Sequence, residues 1–347
     1  MKRICIIGHF GGNECFTDGQ TVKVRSLYEG LKRVSEEKLV IDKVDTYYLK
    51  KSAFKLCLSF LKCLLFDKII IFLPATNGRR VLFKLLYFVS KIFKKEVYHD
   101  CIGGALVQEI KENPKWIKYL NAYKKNWMES DTQARIMFSL GIHNASYLPN
   151  FKHISPVAEK ENDYQKTTPF KFCTFSRVLP EKGIGDAIDA VSRINEDAGK
   201  ELIHLDIFGP IQESAMEWFN DLVLNCSYVS YCGVIDPQDS VATIKNYYML
   251  LFPTQYYTEG MPGTIIDAMF AGVPVIARRW IYCDEMIQTG YNGLVYDFDK
   301  PELLIDTIRY SLENIDTIIE MRKNCVKDSI KYSETEVVSR IIREMGL

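Results

Sequence analysis

The sequence predicts an α/β protein made of two Rossmann-like domains, each with a parallel sheet covered by helices. Short apolar runs of strand length alternate with segments of helical period along the chain, which is typical of βαβ units around a parallel sheet. The alternation pauses once, in a polar segment over residues 151–169. The chain also has 347 residues, which is more than twice the roughly 150 residues of an average domain.

The first series of elements predicts an N-terminal domain over residues 1–150. A buried strand at the start of the chain ends in glycines and is followed by a helical segment from Gln20 to Arg33. Further apolar runs predict three more strands, with an apolar helix between the second strand and the third. The strands are Ile4–Gly8, Val40–Tyr48, Lys68–Leu73 and Glu96–His99.

The second series predicts a C-terminal domain over residues 170–330. The segment 151–169 contains prolines and has no apolar period, so we interpret it as a linker. Residues 331–347 continue a mostly helical tail and are assigned to a separate C-terminal helix. A helix face is given by Ala187, Ala190, Val191 and Ile194, and the strands are Phe170–Ser176, Leu202–Phe208, Met249–Pro253, Pro274–Ala277 and Gly293–Tyr296.

Composition and charge exclude several classes of protein. Lys+Arg and Asp+Glu both total 44, whereas a protein that coats nucleic acid is expected to be basic, so no nucleic-acid partner is predicted. Residues 1–150 carry a net positive charge, and residues 151–347 carry a net negative charge of the same size, which suggests that the domains meet different partners. We expect no transmembrane helix and no signal peptide. The ten cysteines show no C-x-x-C spacing, which favours a reducing, cytoplasmic location.

The densest chemical signal lies between residues 251 and 277. A strand is followed by a loop with Glu259, and Pro262 and Gly263 then open a helix that carries Asp267 about one turn inside. Free N–H groups at a helix start bind phosphate, and Gly260 and Gly263 permit close backbone approach. Two carboxylates beside a phosphate cradle suit a ligand with hydroxyl groups on both sides of a diphosphate. A nucleotide sugar has that layout.

A second signal follows the strand Phe170–Ser176. Arg177 stands at the strand end, and Lys182 precedes a helix that opens with glycine. Two cations at this spacing near a helix N-terminus can neutralise a diphosphate and stabilise it as a leaving group.

In these residues the sequence resembles the retaining GT-B glycosyltransferases of family GT4. That family carries an Arg-x4-Lys phosphate clamp, matched by Arg177 and Lys182, and an acidic E-x7-E motif, matched by Glu259 and Asp267. The second acid is Asp where the family usually has Glu. The resemblance implies that Glu259 contacts the donor hexose and Asp267 the ribose. It also implies that backbone N–H groups reach sugar and phosphate from the segment of Gly260, Met261, Pro262, Gly263 and Thr264.

The resemblance extends more weakly over the N-terminal half. It implies that His99 lines the donor sugar, although a satisfied core histidine is the alternative. It implies that Gly11 and Gly12, with Gly19, Gln20 and Thr21, form the glycine loop where the acceptor domain approaches the diphosphate; plain turn glycines are the alternative. It also places the interdomain junction at Leu148–Phe151 and carries the last helix, Glu334–Met345, back to the N-terminal domain.

The family implies a hexosyltransferase with two parallel sheets facing across an interdomain cleft, retention at the sugar carbon, and no metal or other cofactor. The expected donor is a nucleotide sugar, by default a UDP-sugar. The expected acceptor is a saccharide on a polyprenyl lipid, used for capsule, lipopolysaccharide O-antigen or exopolysaccharide. Asp297-Phe298-Asp299 matches a D-x-D metal motif, but its position indicates turn and N-cap chemistry.

Three alternatives remain open. The first is another GT-B activity, such as a sugar-nucleotide epimerase or a phosphorylase; an epimerase would produce an isomerised sugar without an acceptor. A non-catalytic subunit that only binds nucleotide sugar is favoured by the Asp at position 267. A dinucleotide oxidoreductase is disfavoured, because Gly8, Gly11 and Gly12 do not form G-x-G-x-x-G.

The stretch Lys50–Lys95 holds eleven Lys/Arg and one acid, Asp67, among leucines and phenylalanines. At about 100° per residue, five of these cations fall on one helix stripe. A basic amphipathic helix can lie on an anionic membrane, which predicts a peripheral protein on the inner face of the cytoplasmic membrane. The alternative is a sheet-covering helix with a solvated basic face. The stripe consists of Arg80, Lys84, Lys91, Lys94 and Lys95.

Overall fold

A computed structural model describes residues 2–12, 19–35, 39–50, 61–73, 76–158 and 168–347. The chain divides into two compact units, the first formed by Met1–His153 with Tyr332–Leu347 and the second by Ile154–Lys331. Part of the predicted linker, residues 159–167, lies outside the described residues. The same holds for most of the apolar helix predicted before Lys68, of which the described part begins at residue 61.

The first unit contains a six-stranded sheet in the order β2-β1-β3-β4-β5-β6, and every neighbouring pair is parallel. The strands are β1 (Lys2–Gly8), β2 (Leu39–Asp45), β3 (Lys68–Ile71), β4 (Glu96–Asp100), β5 (Lys125–Met128) and β6 (Ala145–Tyr147). The helices between them are α1 (Gly19–Val34), α2 (Thr76–Ile92), α3 (Leu106–Glu112), α4 (Lys115–Leu120) and α5 (Asp131–Ser139).

Both faces of this sheet are buried, which explains why β1 is a continuous apolar run. Ile4 and Ile6 join a core cluster with α1, whereas Cys5 and Ile7 point to the other face and join a cluster with α2. Successive side chains of a strand point to opposite faces. One strand therefore supplies both cores.

The second unit contains another six-stranded parallel sheet, in the order β12-β11-β10-β7-β8-β9. Its strands are β7 (Phe170–Phe175), β8 (Ile203–Phe208), β9 (Val229–Gly233), β10 (Met249–Phe252), β11 (Val275–Arg278) and β12 (Gly293–Tyr296). The helices are α6 (Ile184–Ala198), α7 (Met216–Leu224), α8 (Ser240–Ile244), α9 (Gly263–Phe270), α10 (Leu303–Glu313) and α11 (Ile315–Ser329).

The last helix, α12 (Glu334–Met345), belongs to the first unit. Ser333 caps it by accepting a hydrogen bond from the Glu336 N–H at 3.4 Å. Its apolar residues join the cluster that contains α1. The Trp127 indole N–H also donates to the Glu344 carboxylate at 2.7 Å, so a strand of the first sheet holds the helix near its end.

The prediction of two parallel sheets in an α/β chain is confirmed. Three short strands, β5, β6 and β9, were not predicted, because their three to five residues are partly polar and show no clear apolar run. The strand predicted over Val40–Tyr48 ends earlier, at Asp45. The Asp45 carboxylate accepts a hydrogen bond from the Tyr47 N–H at 2.9 Å, and this turns the chain into a 3-10 helix.

Candidate functional site

The strand order of the second unit has a switch point between β7 and β10. The first strand of this sheet, β7, lies next to β10, and the chain order runs outward in opposite directions from that pair. In open parallel sheets, ligands bind outside the carboxyl ends of the strands at such a switch point. Arg177 and Lys182 follow β7, and Glu259 follows β10, so the predicted clamp and the first predicted acid meet at this edge.

The loop after β7 is in direct backbone contact with the end of β10. Pro180–Lys182 forms one 3-10 turn, and Gly183 then adopts a left-handed conformation with φ of 72° before α6 begins. A Cβ atom at Gly183 would lie 1.9 Å from the carbonyl oxygen of Pro253. The Gln255 N–H also donates to the Glu181 carbonyl at 2.8 Å. Glycine is therefore required at position 183 for the two loops to approach each other.

Lys182 and Glu259 form an ion pair across these two loops. Their side chains are 14% and 17% exposed, so the pair is shielded but remains within reach of solvent. The Thr254 hydroxyl donates to the same carboxylate oxygen at 3.2 Å. The Lys182 ammonium also lies 4.9 Å from the centre of the Tyr256 ring. These contacts place one positive and one negative group side by side at the switch point.

Arg177 is not part of this pair. Its side chain is exposed, and it has no carboxylate partner within the described part of the chain. It lies close enough to Tyr256 to influence that hydroxyl: burial and the charge of Glu181 raise the pKa of Tyr256, and the Arg177 charge opposes the shift. An exposed cation beside a held cation can turn toward an anion that binds between them.

The start of α9 offers hydrogen-bond donors at the same edge. Pro262 precedes the helix with extended backbone angles, and no side chain caps the helix N-terminus. The Thr264 hydroxyl is buried and has no hydrogen-bond partner among the described residues. Uncapped N–H groups at a helix start attract anions. Gly260 and Met261, just before the helix, are buried, whereas Gly263 is partly exposed.

Asp267 differs from Glu259 in its surroundings. It lies one turn inside α9 and is 5% exposed. Its carboxylate is therefore enclosed by the second unit, whereas that of Glu259 remains accessible. The ribose contact predicted for Asp267 stays a prediction.

Trp280, which was not predicted as a site residue, supports the loop of the acidic motif. Its indole N–H donates to the Gly260 carbonyl at 3.2 Å, and its ring packs edge-on against Phe252 at 5.5 Å. The side chain is fully buried. Its position just after β11, the strand next to β10, could have indicated it, because both strands end at the same edge of the sheet.

In the first unit, Gly11 and Gly12 form a loop after β1, with φ of 82° and 59°. The Asp45 carboxylate fixes this loop by accepting hydrogen bonds from the Phe10 N–H at 2.9 Å and the Gly12 N–H at 2.7 Å. Asp45 was not singled out from the sequence, although an aspartate at the end of the neighbouring strand β2 is the expected type of residue for this role.

The residues predicted to extend the glycine loop begin α1. Gly19 has open space around its Cα atom, and Gln20 is partly exposed. Thr21 is buried, and its hydroxyl lies 2.8 Å from His9 Nδ1. Residues 13–18, between Gly12 and this helix start, lie outside the described residues.

His99 does not face an open surface in the first unit. It lies within β4, is fully buried, and meets the Phe83 ring edge-on at 5.1 Å. Burial, together with the positive charge of Arg79, lowers its pKa to about 3. The side chain belongs to the same face of the sheet as Val97, so strand alternation directs it into the core. Neither ring nitrogen has a hydrogen-bond partner among the described residues, so His99 is buried without being a satisfied core histidine, and the sugar contact predicted for it stays a prediction.

The next residue, Asp100, lies in a buried ionic cluster that the sequence did not reveal. Lys23 of α1 contacts the Asp100 carboxylate at 2.6 Å and the Glu129 carboxylate at 3.0 Å. Burial raises the pKa of Asp100 to about 6, against the lowering effect of the Lys23 charge. The second oxygen of Glu129 accepts the Gly103 N–H at 2.9 Å. These groups lie where β4 and β5 end.

The predicted basic stripe is on the surface of the first unit. Arg80, Lys84, Lys91 and Lys94 are exposed, and Lys95 is partly buried. None of the described helices is both long enough and apolar enough to span a bilayer. The described residues also contain no group of three side chains arranged to hold a metal ion. Asp297 and Asp299 are exposed, and Lys300 lies 3.7 Å from Asp297.

Comparisons with known proteins identify the family to which the chain belongs. Residues 157–332 match the family described as Glycosyl transferases group 1. The chain is 23% identical over 262 residues to an uncharacterized glycosyltransferase of Methanocaldococcus jannaschii, covering 73% of this chain and 60% of that protein. It is 24% identical over 168 residues to the Campylobacter jejuni N,N'-diacetylbacillosaminyl-diphospho-undecaprenol alpha-1,3-N-acetylgalactosaminyltransferase, covering 48% and 42%. The chain thus spans less than two thirds of the length of these relatives.

Solved structures share the fold over the whole chain. Anabaena HepE, crystallised with UDP and glucose, superposes with a TM-score of 0.74 at 12% identity, covering 100% of both chains. Sucrose-phosphate synthase of Thermosynechococcus elongatus gives a TM-score of 0.77 at 14% identity, covering 100% and 98%. These likenesses confirm the predicted GT-B fold class of two Rossmann-like domains.

Proposed function

Because the chain belongs to the family of group 1 glycosyl transferases, we propose that it transfers a hexose-type sugar from a nucleotide diphosphate sugar to a saccharide acceptor. The observation that carries the proposal is the Lys182–Glu259 pair at the switch point of the second sheet. It stands beside the uncapped start of α9. A cation, an anion and free N–H groups within one crevice suit a diphosphate joined to a sugar with free hydroxyl groups.

We propose an exchange of partners when the donor binds. The diphosphate takes up the N–H groups at the start of α9 and draws the Lys182 ammonium from Glu259. The Glu259 carboxylate is then free to accept hydrogen bonds from sugar hydroxyl groups, while Thr254 continues to orient it. Arg177, which is exposed and without a carboxylate partner in the described part of the chain, adds a second positive charge to the diphosphate.

The proposed reaction proceeds with retention and without metal. The bond between the sugar carbon and the diphosphate oxygen breaks, and the acceptor oxygen bonds to that carbon on the same face. The acceptor proton passes to the departing phosphate oxygen. Lys182, Arg177 and the N–H groups of α9 stabilise the charge that develops on the leaving group. In this scheme no separate protein base is required.

The proposed donor is a UDP-sugar, and the proposed acceptor is a saccharide on a polyprenyl diphosphate. UDP stands in the solved structure of Anabaena HepE, and the name of the Campylobacter jejuni relative includes diphospho-undecaprenol. Such an acceptor belongs to the cytoplasmic face of the membrane. We therefore propose a role in capsule, O-antigen or exopolysaccharide synthesis, with the basic first unit nearest the lipid.

A non-catalytic subunit that binds nucleotide sugar is the second candidate. The specific observation that favours it is Asp267, which is shorter than the usual glutamate and enclosed within the second unit.

The experiment that tests both candidates measures nucleoside diphosphate release from UDP-, GDP- and ADP-sugars in the presence of EDTA. We expect slow release from one donor and loss of release in Glu259→Gln, which keeps the side-chain size. Asp189→Asn, an exposed acid of α6, serves as the matched control. A donor that raises the melting temperature without any release, even with lipid-linked saccharides added, would favour the binding subunit. No binding by any donor would refute the assignment.

A further inference from the structure

Helix α2 exposes a continuous apolar row. Val81, Leu85, Phe88 and Ile92 are 64%, 38%, 43% and 66% exposed, and Phe93, just beyond the helix end, is 51% exposed. At about 100° per residue, the four helical positions fall within an arc of about 60°. Single exposed apolar residues are common on protein surfaces, but a contiguous row of this size marks an interaction site. We refer to these five residues as the apolar row.

The apolar row is not the face that packs on the sheet. A different side of α2 enters the core, where its large side chains are almost fully buried against β3 and β4. The helix therefore has a complete core face and a second apolar face. The buried side chains of the core face are Leu82, Phe83, Leu86 and Val89.

Two further exposed leucines precede β3, on the same side of the sheet as α2. Leu61 and Leu65 are each 60% exposed. Their neighbours Cys63 and Phe66 are buried in the core cluster that contains the inner face of α2. The segment that precedes β3 therefore approaches the sheet from the side of α2 and also leaves large apolar side chains outside.

A row of cations lies along one edge of the apolar row. By helical spacing, Arg80, Lys84 and Lys91 fall about 60–100° from Val81, and all three are exposed. The sequence of α2 contains no acid. None of these cations, nor Lys94 and Lys95 after the helix, has a carboxylate partner in the part of the chain that the structure describes.

We propose that α2 docks this protein on an anionic lipid surface, with the apolar row entering the boundary between headgroups and acyl chains. The row of cations would then lie at the level of the lipid phosphates. A helix with one apolar face and one basic face binds membranes in this orientation, and each Lys or Arg strengthens the attraction to anionic lipid.

The charges favour lipid over a protein partner. Interfaces between proteins are depleted in lysine, whereas four of the five cations here are lysines. In a symmetric dimer with antiparallel α2 helices, the row of cations would face its copy and repel it. The exposed apolar side chains and the exposed cations of α2 therefore fit an anionic lipid surface better than a protein surface. This inference goes beyond the proposed transfer reaction, although a lipid-linked acceptor would give docking a purpose.

The test is flotation of the full chain with phosphatidylcholine vesicles, with and without phosphatidylglycerol. We expect binding to the anionic vesicles, weakened by salt, and far weaker binding to neutral ones. The variant Leu85→Ser, Phe88→Ser, Ile92→Ser should lose binding to both. The triple exchange to Gln at Lys84, Lys91 and Lys95 should lower partitioning to anionic vesicles about 100-fold, at about fivefold for each charge.

A matched control removes the same number of charges elsewhere. The triple exchange to Gln at Lys323, Lys327 and Lys331, on the second unit, should leave vesicle binding unchanged. Melting temperature and nucleoside diphosphate release in solution report whether each variant is folded, and neither should change for the α2 variants. If the wild-type chain binds anionic vesicles but releases no nucleoside diphosphate from any donor, the proposed function is refuted and the proposed membrane docking is not.

Any of three results would overturn the inference. The first is that the wild-type chain does not bind anionic vesicles, and the second is that the serine variant binds them as well as wild type does. The third is that the wild-type chain does not bind vesicles but forms a dimer by light scattering, and that the serine substitutions dissociate this dimer. That result would assign the apolar row to a second copy of the chain.

Discussion

Lys182 and Glu259 form an ion pair in the second unit, so replacing one or the other should change nucleotide affinity in opposite directions. We expect Lys182→Met to weaken UDP binding and Glu259→Gln to strengthen it. Methionine removes the cation that would contact the diphosphate. Glutamine keeps the size of the side chain and can still accept the hydrogen bond from Thr254, but it no longer competes with the diphosphate for Lys182.

The size of the effect follows from the exposure of the pair. Its side chains are 14% and 17% exposed, so bulk water does not fully screen it. A charge pair at about 4 Å near a protein surface is worth about 4 kcal/mol. A hydrogen bond to a charged group, of the kind lost when Lys182 leaves Glu259, contributes about 1.5–3 kcal/mol. The difference, roughly 1–2.5 kcal/mol, corresponds to a rise of about 5- to 60-fold in Kd for Lys182→Met.

The assay is calorimetric titration of UDP into wild type, both single variants and the double variant, at one pH and one salt concentration. Glu259→Gln should bind UDP about tenfold more tightly while losing sugar transfer. The change in binding free energy of the double variant should differ from the sum of the changes in the two single variants, because neighbouring charges are energetically coupled. Asp189→Asn should bind UDP as wild type does. Weaker UDP binding by Glu259→Gln, or strict additivity in the double variant, would refute the exchange of partners.

Three further predictions concern groups that the tertiary structure revealed. Trp280→Phe keeps the packing but removes the hydrogen bond to Gly260, so the free energy of unfolding should fall by about 1 kcal/mol and donor affinity should fall. If denaturation and donor titration are unchanged, Trp280 is a packing residue only. Asp45→Asn leaves one carbonyl oxygen where the carboxylate offers two acceptors to the glycine loop. In chemical denaturation, the free energy of unfolding should fall by about 1–3 kcal/mol, and it should hardly change for the control Asp67→Asn, which alters an exposed side chain. Because burial raises the pKa of Asp100 to about 6, the folded state keeps a proton that the unfolded state loses near pH 4. Its contribution to stability therefore falls as the pH rises from about 4 to about 6 and is constant above that. The difference in unfolding free energy between wild type and Asp100→Asn should change over this window, and a flat difference would contradict the assignment.

Local sequence was sufficient for most of the fold. The apolar runs of β1, β7 and β10 are continuous because both faces of each sheet are covered, and a fully buried strand shows no polar alternation. The glycines and the proline before α9 marked the start of that helix. Shorter strands such as β6 escaped prediction, because three residues carry too little pattern.

The sequence also identified the charged residues of the candidate site but not their relations. Arg177, Lys182 and Glu259 were selected by their positions after strands, yet the pairing of Lys182 with Glu259 joins residues 77 positions apart. That pairing depends on β7 lying next to β10, which is a property of strand order. The same holds for Lys23, whose partner Asp100 is 77 positions away.

What the sequence determined by itself is therefore the set of elements and the chemical types of the residues at their ends. Periodicity, glycine and proline act within a few residues and can be recognised without knowing the fold. Only the tertiary structure decided which ends meet, that His99 points into the core, and that α2 keeps a second apolar face outside. Contacts between distant residues depend on strand order and on the face that each side chain occupies, and neither is encoded locally.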